Sequence, residues 1–326
     1  MDLGISGYTI GMGSIAQSLN ARWAQFSLNV LEEAPVHRDV IAALVDDMTA
    51  NGCAPILDAR GTMDDLARIV TSITEPGAWQ MAVDQYTDRI LNILEAEPRI
   101  KELEVWGSAD LPIIVGGHGP QFDASTILAE VHAQVEAAFP QVRVLSGGYC
   151  VNADCMFVQF GLCEHAPEGF DVCNAHPLPM PCETLEVTLG VYAERLDYIR
   201  ELLNEHCASQ PFASTGFGVP TLATAPPPDL NIGTHWQLPG GVRAIAYAEA
   251  GTYYRAMLEC FEEFGFEYVC LIAQDVLHGG KYKHWQEACG LLKADGRPKS
   301  FVDKLVLWAQ ERDPFTMEEE DVSATA

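Results

Sequence analysis

Basic residues are scarce in this chain: 19 Lys and Arg stand against 46 Asp and Glu among 326 residues, a formal charge of −27. A surface so poor in cations repels phosphate backbones and anionic lipid, which argues against nucleic acid or membrane partners. Solubility is the ordinary use of such acidity, and neutral or cationic ligands remain open. Long apolar runs are missing too. Hydrophobic residues make up 48% of the chain, yet no stretch approaches the ~18 uncharged apolar residues of a membrane span. The start, Met1-Asp2-Leu3-Gly4-Ile5-Ser6-Gly7, has neither the basic segment nor the apolar core of an export signal. Synthesis in the cytoplasm is therefore expected, with no leader directing export.

Several signatures of chemistry are also absent. No G-x-x-x-x-G-K-[ST] occurs, and the glycines of 7–13 lack the G-x-G-x-x-G spacing, so neither phosphate loop is expected. No G-x-S-x-G turn presents a serine nucleophile, which disfavours a triad built from Ser108 or Ser146 with His176. Cysteine is plentiful, ten in all, and Cys150, Cys155, Cys163, Cys173 and Cys182 fall within 33 residues. Their spacings of four, seven, nine and eight intervening residues do not make the C-x2-4-C pairs of zinc sites. Buried structural thiols are expected, with a metal or disulfide cluster as the alternative. No cofactor and no metal are expected.

What is present is rhythm. Short β-branched or apolar runs at 3–6, 23–28, 54–59, 102–106, 142–146, 170–175, 212–216 and 268–273 alternate with amphipathic stretches, the pattern of a parallel sheet covered by helices. Residues 38–51 space Val40, Ile41, Leu44, Val45 and Met48 helically and stop at Asn51-Gly52. Helices are likewise expected over 79–94, 184–207 and 246–264, with the third unit broken at Pro76-Gly77. Eight such units predict a single-domain (β/α)8 TIM barrel over 1–312, followed by an acidic C-terminal tail at 313–326. Long Gly- or Pro-rich connections at 111–122 and 222–242 follow strands, hence lie on the face where such barrels place their sites.

Motifs at the strand ends are more specific. Trp106-Gly107-Ser108-Ala109-Asp110 closes strand four, and Thr215-Gly216-Phe217-Gly218-Val219-Pro220-Thr221 closes strand seven. Around them stand Val142-Arg143-Val144-Leu145-Ser146-Gly147-Gly148, then Asn174-Ala175-His176-Pro177, then Gly290-Leu291-Leu292-Lys293-Ala294-Asp295-Gly296-Arg297-Pro298-Lys299. In this order the motifs resemble the retaining glycosidases of glycoside hydrolase clan A, over roughly residues 100 to 310. Those enzymes end strand four in a motif like W-N-E-P and strand seven in one like T-E-F-G-x-P-T. The resemblance implies the barrel and a sugar-sized cleft at its mouth.

It also implies a loss. Retaining hydrolysis uses two carboxyl groups about 5–5.5 Å apart, one as acid/base and one as nucleophile. The matching positions here hold Ser108 and Gly216, and Gly107 replaces the asparagine that would bond a sugar 2-hydroxyl. No catalytic pair is expected there. Asp58, Asp110 and Asp275 stand near strand ends as fallback carboxylates, although an Asp at a barrel mouth more often caps a helix or pairs with Arg. Glu104 shares parity with Trp106 and should point into the barrel, paired with a polar neighbour such as Arg60. Trp106, Tyr149, His176, Phe217, Trp236 and Trp285, with His235 and His278 nearby, are candidates to stack on or bond a glycan. Packing is the competing role for Trp106 and Phe217. The expected function is a degenerate glycosidase-like barrel that binds carbohydrate or serves structurally among protein neighbours, a virion or phage tail being one setting. The competing expectation is an active hydrolase with relocated carboxylates or substrate assistance.

Overall fold

Eight parallel strands form the frame: β1 (Asp2–Ser6), β2 (Trp23–Asn29), β3 (Ala54–Arg60), β4 (Glu102–Val105), β5 (Arg143–Leu145), β6 (Cys173–His176), β7 (Phe212–Phe217) and β8 (Phe266–Ile272). This computed structural model describes residues 1–30, 38–60, 78–105, 124–147, 149–150, 169–176, 184–206, 210–223, 244–276 and 288–312. The strands follow the order β5-β4-β3-β2-β1-β8-β7-β6, and a parallel bridge between Leu145 and Val172 joins the two ends into a barrel. Tyr149–Cys150 continues the fifth strand alongside Ala175 and His176. The observed strands match the expected ones to within a few residues. The eighth starts earlier, at Phe266, and the fourth is described only to Val105.

Helices α1 (Gly13–Ser18), α2 (Arg38–Ala50), α3 (Ala78–Ala96), α4 (Ala124–Ala138), α5 (Leu185–His206), α6 (Tyr247–Glu263) and α7 (Val302–Glu311) accompany the strands. Helix α2 illustrates why they form. It buries Ile41, Val45 and Met48, a stripe with helical spacing. It stops where Gly52 takes φ +80°, a conformation costly for residues with a Cβ. The turn is closed by Cys53 N–H donating to Met48 O at 3.0 Å. Gly265, at φ +82°, does the same after α6, which buries Ala250, Tyr254, Met257, Leu258 and Phe261. None of the described helices is long and apolar enough to cross a membrane.

Two apolar layers result. The larger lies between strands and helices, where Ile5, Phe26, Leu57, Val144 and Val269 meet Val45, Ile90, Val131 and Phe261. The smaller fills the barrel's N-terminal half with Ile56, Leu145, Val172, Ala213, Tyr268 and Cys270. There Trp23 stacks on Tyr268 with centroids 4.7 Å apart, and Arg143 donates to Glu102 (2.8 Å) and Glu267 (2.9 Å). Burying each large apolar side chain stabilises by roughly 1.5–3 kcal/mol. Toward the C-terminal ends of the strands the interior changes character and becomes polar.

Candidate functional site

Strand parity builds the polar chamber. Ser27 lies opposite Asp58, and Asp58 opposite Glu104, in the ladders of β2, β3 and β4. Their side chains point to one face, the barrel interior, as does Gln25 two residues before Ser27. Gln25 is oriented by accepting from Ser6 Oγ (2.9 Å) and from the Gly7 N–H (3.1 Å) on its Oε1. Its Nε2 therefore faces the acids, donating to Glu104 Oε2 at 2.9 Å and Asp58 Oδ2 at 3.3 Å. Ser27 Oγ donates to the same Asp58 oxygen at 2.7 Å, and Arg60 Nε closes an ion pair on it. The second Asp58 oxygen, Oδ1, is buried with no hydrogen-bond partner among the described residues.

Strands β6 and β7 supply the opposite wall. Thr215 Oγ1 donates to Glu104 Oε2 at 2.7 Å. Asn174 Nδ2 and His176 Nε2 each lie 2.8 Å from that hydroxyl. His176 Nε2 is also 3.5 Å from Glu104 Oε1. Gln25, Asp58, Glu104, Asn174, His176 and Thr215 are buried.

The two carboxylates titrate apart. Burial pushes Asp58 up to about 6, helped by the charge of Glu104 and opposed by Arg60. Burial also works against Glu104, but the hydrogen bond and charge of His176, with Arg60 and Thr215, outweigh it and hold Glu104 down at about 2. The expected pairing of Glu104 with Arg60 is thus one of charge, while the direct ion pair of Arg60 goes to Asp58.

Gly216 faces this chamber. A Cβ placed on it would lie 3.2 Å from Cδ2 and Nε2 of His176, so Gly216 is on the inner face of strand seven. A register slip against β8 between Ser214 and Phe217, of the kind a β-bulge produces, resets the alternation. Thr215 and Gly216 both face inward, and Phe217 is turned outward. Its ring is wholly buried and packs edge-on against Tyr254 at 5.4 Å and Phe261 at 5.0 Å. The assignment of Phe217 to a sugar surface is corrected accordingly: it belongs to the wall between barrel and α6.

Asp275 has a structural partner. Lys299 Nζ donates to Asp275 Oδ1 at 2.7 Å, to Thr221 Oγ1 at 2.8 Å and to Ala288 O at 3.0 Å, and Gly290 N–H donates to the same carboxylate oxygen at 2.9 Å. Both charges are buried, so Asp275 holds loops together and is not presented to the mouth. Ser108, Asp110, Trp106, Trp236 and Trp285, with His235 and His278, lie outside the described residues, as does the side chain of Tyr149. Among the described residues no group of three His, Cys, Asp or Glu side chains could hold a metal ion. Of the five clustered cysteines, Cys173 is buried, and Cys155, Cys163 and Cys182, with the side chain of Cys150, lie outside the described residues.

The sequence reading overlooked Gln25, Ser27, Asn174 and Thr215. The alternation in Trp23-Ala24-Gln25-Phe26-Ser27 held a signal for the first two, since polar residues two apart share a face. Asn174 and Thr215 stood inside the strand-six and strand-seven motifs, but nothing in those motifs gave either a role of its own.

No protein-family model matches the chain, and no curated protein matches it. Solved structures do. A family 39 glycoside hydrolase from the gut symbiont Bacteroides cellulosilyticus WH2 superposes with a TM-score of 0.64 at 13% identity, over 94% of this chain and 63% of that one. The β-glucuronidase of Ruminococcus gnavus gives 0.59 at 13%, over 96% and 49%. Bacteroides uniformis β-glucuronidase 2 gives 0.62 at 8%, over 95% and 35%. The barrel fold is thus shared with glycoside hydrolases, and the chain spans between about a third and two thirds of the length of those proteins.

Proposed function

We propose that this barrel is a catalytically degenerate relative of glycoside hydrolases that binds carbohydrate, or serves structurally, within a larger assembly such as a phage tail. The observation that carries the reading is Gly216. It faces the chamber on strand seven at the position of the nucleophile motif, where the nearest described atoms to an added Cβ belong to the His176 ring. Glu104, the chamber carboxylate nearest that ring, is committed to Gln25, Thr215 and His176. An acid so enclosed cannot flank a glycosidic bond as a retaining pair must. With Ser108 at the other catalytic position, the cleft keeps an architecture suited to sugar without the means to break it. A surface of charge −27 favours docking on basic protein neighbours.

A panel of activated aryl glycosides tests this, read alongside Ser108→Glu/Gly216→Glu. The natural chain is expected to release aryl alcohol no faster than buffer, while the double variant gains turnover. The His176 ring must yield by a few tenths of an ångström to admit the new side chain. Turnover by the natural chain would overturn the reading, and inertness of both proteins would leave the structural role.

A second reading, hydrolysis by relocated carboxylates, is favoured by one observation: Asp58 is raised to about 6 while Glu104 is lowered to about 2. Environments that split two acids in this way are how one site obtains an acid and a base. Under that reading Asp58→Asn and Glu104→Gln would each abolish the turnover of the natural chain.

A further inference from the structure

The chamber's hydrogen bonds can be assigned a single direction from two backbone anchors, and that direction determines the protonation of His176. The first anchor is Gly7, whose N–H must donate. Gln25 Oε1 accepts it at 3.1 Å, so Gln25 turns its NH2 to Asp58 and Glu104. The second is Thr215, whose N–H donates to Asn174 Oδ1 at 3.0 Å. Asn174 therefore turns its NH2 to Thr215 Oγ1, 2.8 Å away.

A threonine hydroxyl has one proton to give and two lone pairs to receive. Its proton goes to Glu104 Oε2 at 2.7 Å, because an ionised carboxylate only accepts. One lone pair takes the Asn174 NH2. The remaining lone pair faces His176 Nε2 at 2.8 Å, a contact that is a hydrogen bond only if Nε2 carries a hydrogen. A second described group within reach of Nε2, Glu104 Oε1 at 3.5 Å, also only accepts.

We infer that Glu104 is a positioning residue which, directly and through the Thr215 hydroxyl, fixes His176 with its proton on Nε2. The imidazole beside Gly216 is thereby a hydrogen-bond donor through Nε2 and takes no proton there from a reactant at the strand-seven position. The inference does not depend on whether the mouth binds sugar. It constrains the relocated-carboxylate reading, since any proton acceptor working at that position has to be a group other than His176 Nε2.

The test is the tautomer of His176 in the intact protein. Long-range 15N–1H correlation spectra of 15N-histidine-labelled protein are recorded at a pH where the ring is neutral, with the His176 signals assigned by their loss in His176→Gln. The expected wild-type pattern is a single Nε2–H form, with Nε2 pyrrole-like and Nδ1 pyridine-like. In Glu104→Gln the new side chain can turn an NH2 toward His176, so the single-tautomer pattern is expected to give way to a substantial Nδ1–H population. A pyridine-like Nε2 in the wild type overturns the inference whether or not the variant folds. An unchanged tautomer in a folded Glu104→Gln protein overturns the role given to Glu104. Glycoside turnover does not enter this readout, so its failure is separable from that of the proposed function.

Discussion

At Asp58 the fold has buried a carboxylate fully and given one of its oxygens three donors and the other none among the described residues. The consequence is a stability that depends on pH with a definite sign. Its folded value of about 6 lies above the ordinary 3.8, so the folded state holds a proton that the unfolded chain releases. The stabilising contribution is complete below the unfolded value and is lost as pH rises through about 6. Ionised Asp58 then costs on the order of 2–3 kcal/mol. Glu104 acts in the opposite sense: its folded value of about 2 lies below the ordinary 4.5, so its contribution is present above that ordinary value and falls away as acid is added toward 2. Between about pH 4.5 and 7 Glu104 is silent, while Glu102, raised by burial, and His132, raised by its hydrogen bond to Asp171, add losses of the same sign as Asp58, so the comparison with Asp58→Asn isolates the Asp58 part. Urea midpoints should therefore fall for the natural chain from pH 5 to pH 7.5, with a clearly smaller fall in Asp58→Asn. Equal slopes in the two proteins would show that Asp58 is not the group responsible. The sequence placed Asp58 at the end of strand three, near the mouth. That it lies inside a network, and not on a cleft wall, depends on Gln25 and Ser27 from the next strand, which no local motif announces.

Elements were more legible than side chains. Every barrel strand had a hydrophobic or β-branched run to mark it, and α2, α3, α5 and α6 begin and end within about two residues of the expected bounds. At β7 simple alternation does not hold, because the slip against β8 sets Phe217 in the wall, the packing role that competed with sugar stacking. A bulge depends on which strand lies alongside, and that pairing is not written in seven consecutive residues. The closing motif proved to have a structural explanation. Asp295-Gly296-Arg297-Pro298 makes a tight return, with Gly296 at φ +81° and Lys293 N–H donating to Arg297 O at 2.8 Å. That return delivers Lys299 to Asp275, Thr221 and the Ala288 carbonyl. A buried ammonium with three acceptors is satisfied, but removing it strands a buried carboxylate, which costs roughly 3–5 kcal/mol. Lys299→Met should lower stability by that order in urea denaturation, and Lys299→Met/Asp275→Leu should recover part of the loss. A Lys299→Met protein as stable as the natural chain would mean that the pair does not hold these loops.

At the scale of the whole molecule the charge decides. With 46 acidic and 19 basic residues, the folded chain gathers its excess carboxylates closer together than the unfolded chain does, and their repulsion opposes folding. Salt acts on two quantities of opposite sign. It weakens that repulsion, and it also weakens surface ion pairs such as Arg99–Asp46, Arg255–Glu259 and Arg297–Asp295. Exposed pairs contribute little each, whereas the repulsion is summed over the whole acidic excess. The Debye length shrinks from about 30 Å at 0.01 M to about 10 Å at 0.1 M, so most long-range repulsion disappears in that interval while contacts at 3 Å persist. The buried pair of Lys299 and Asp275 is screened less than either. The repulsive term should therefore dominate, and the thermal midpoint should rise by several degrees between 0.01 and 0.2 M NaCl, with most of the gain below 0.1 M. A midpoint that falls over this range would mean that specific pairs outweigh the net charge, and that the acidic excess is already neutralised by arrangement.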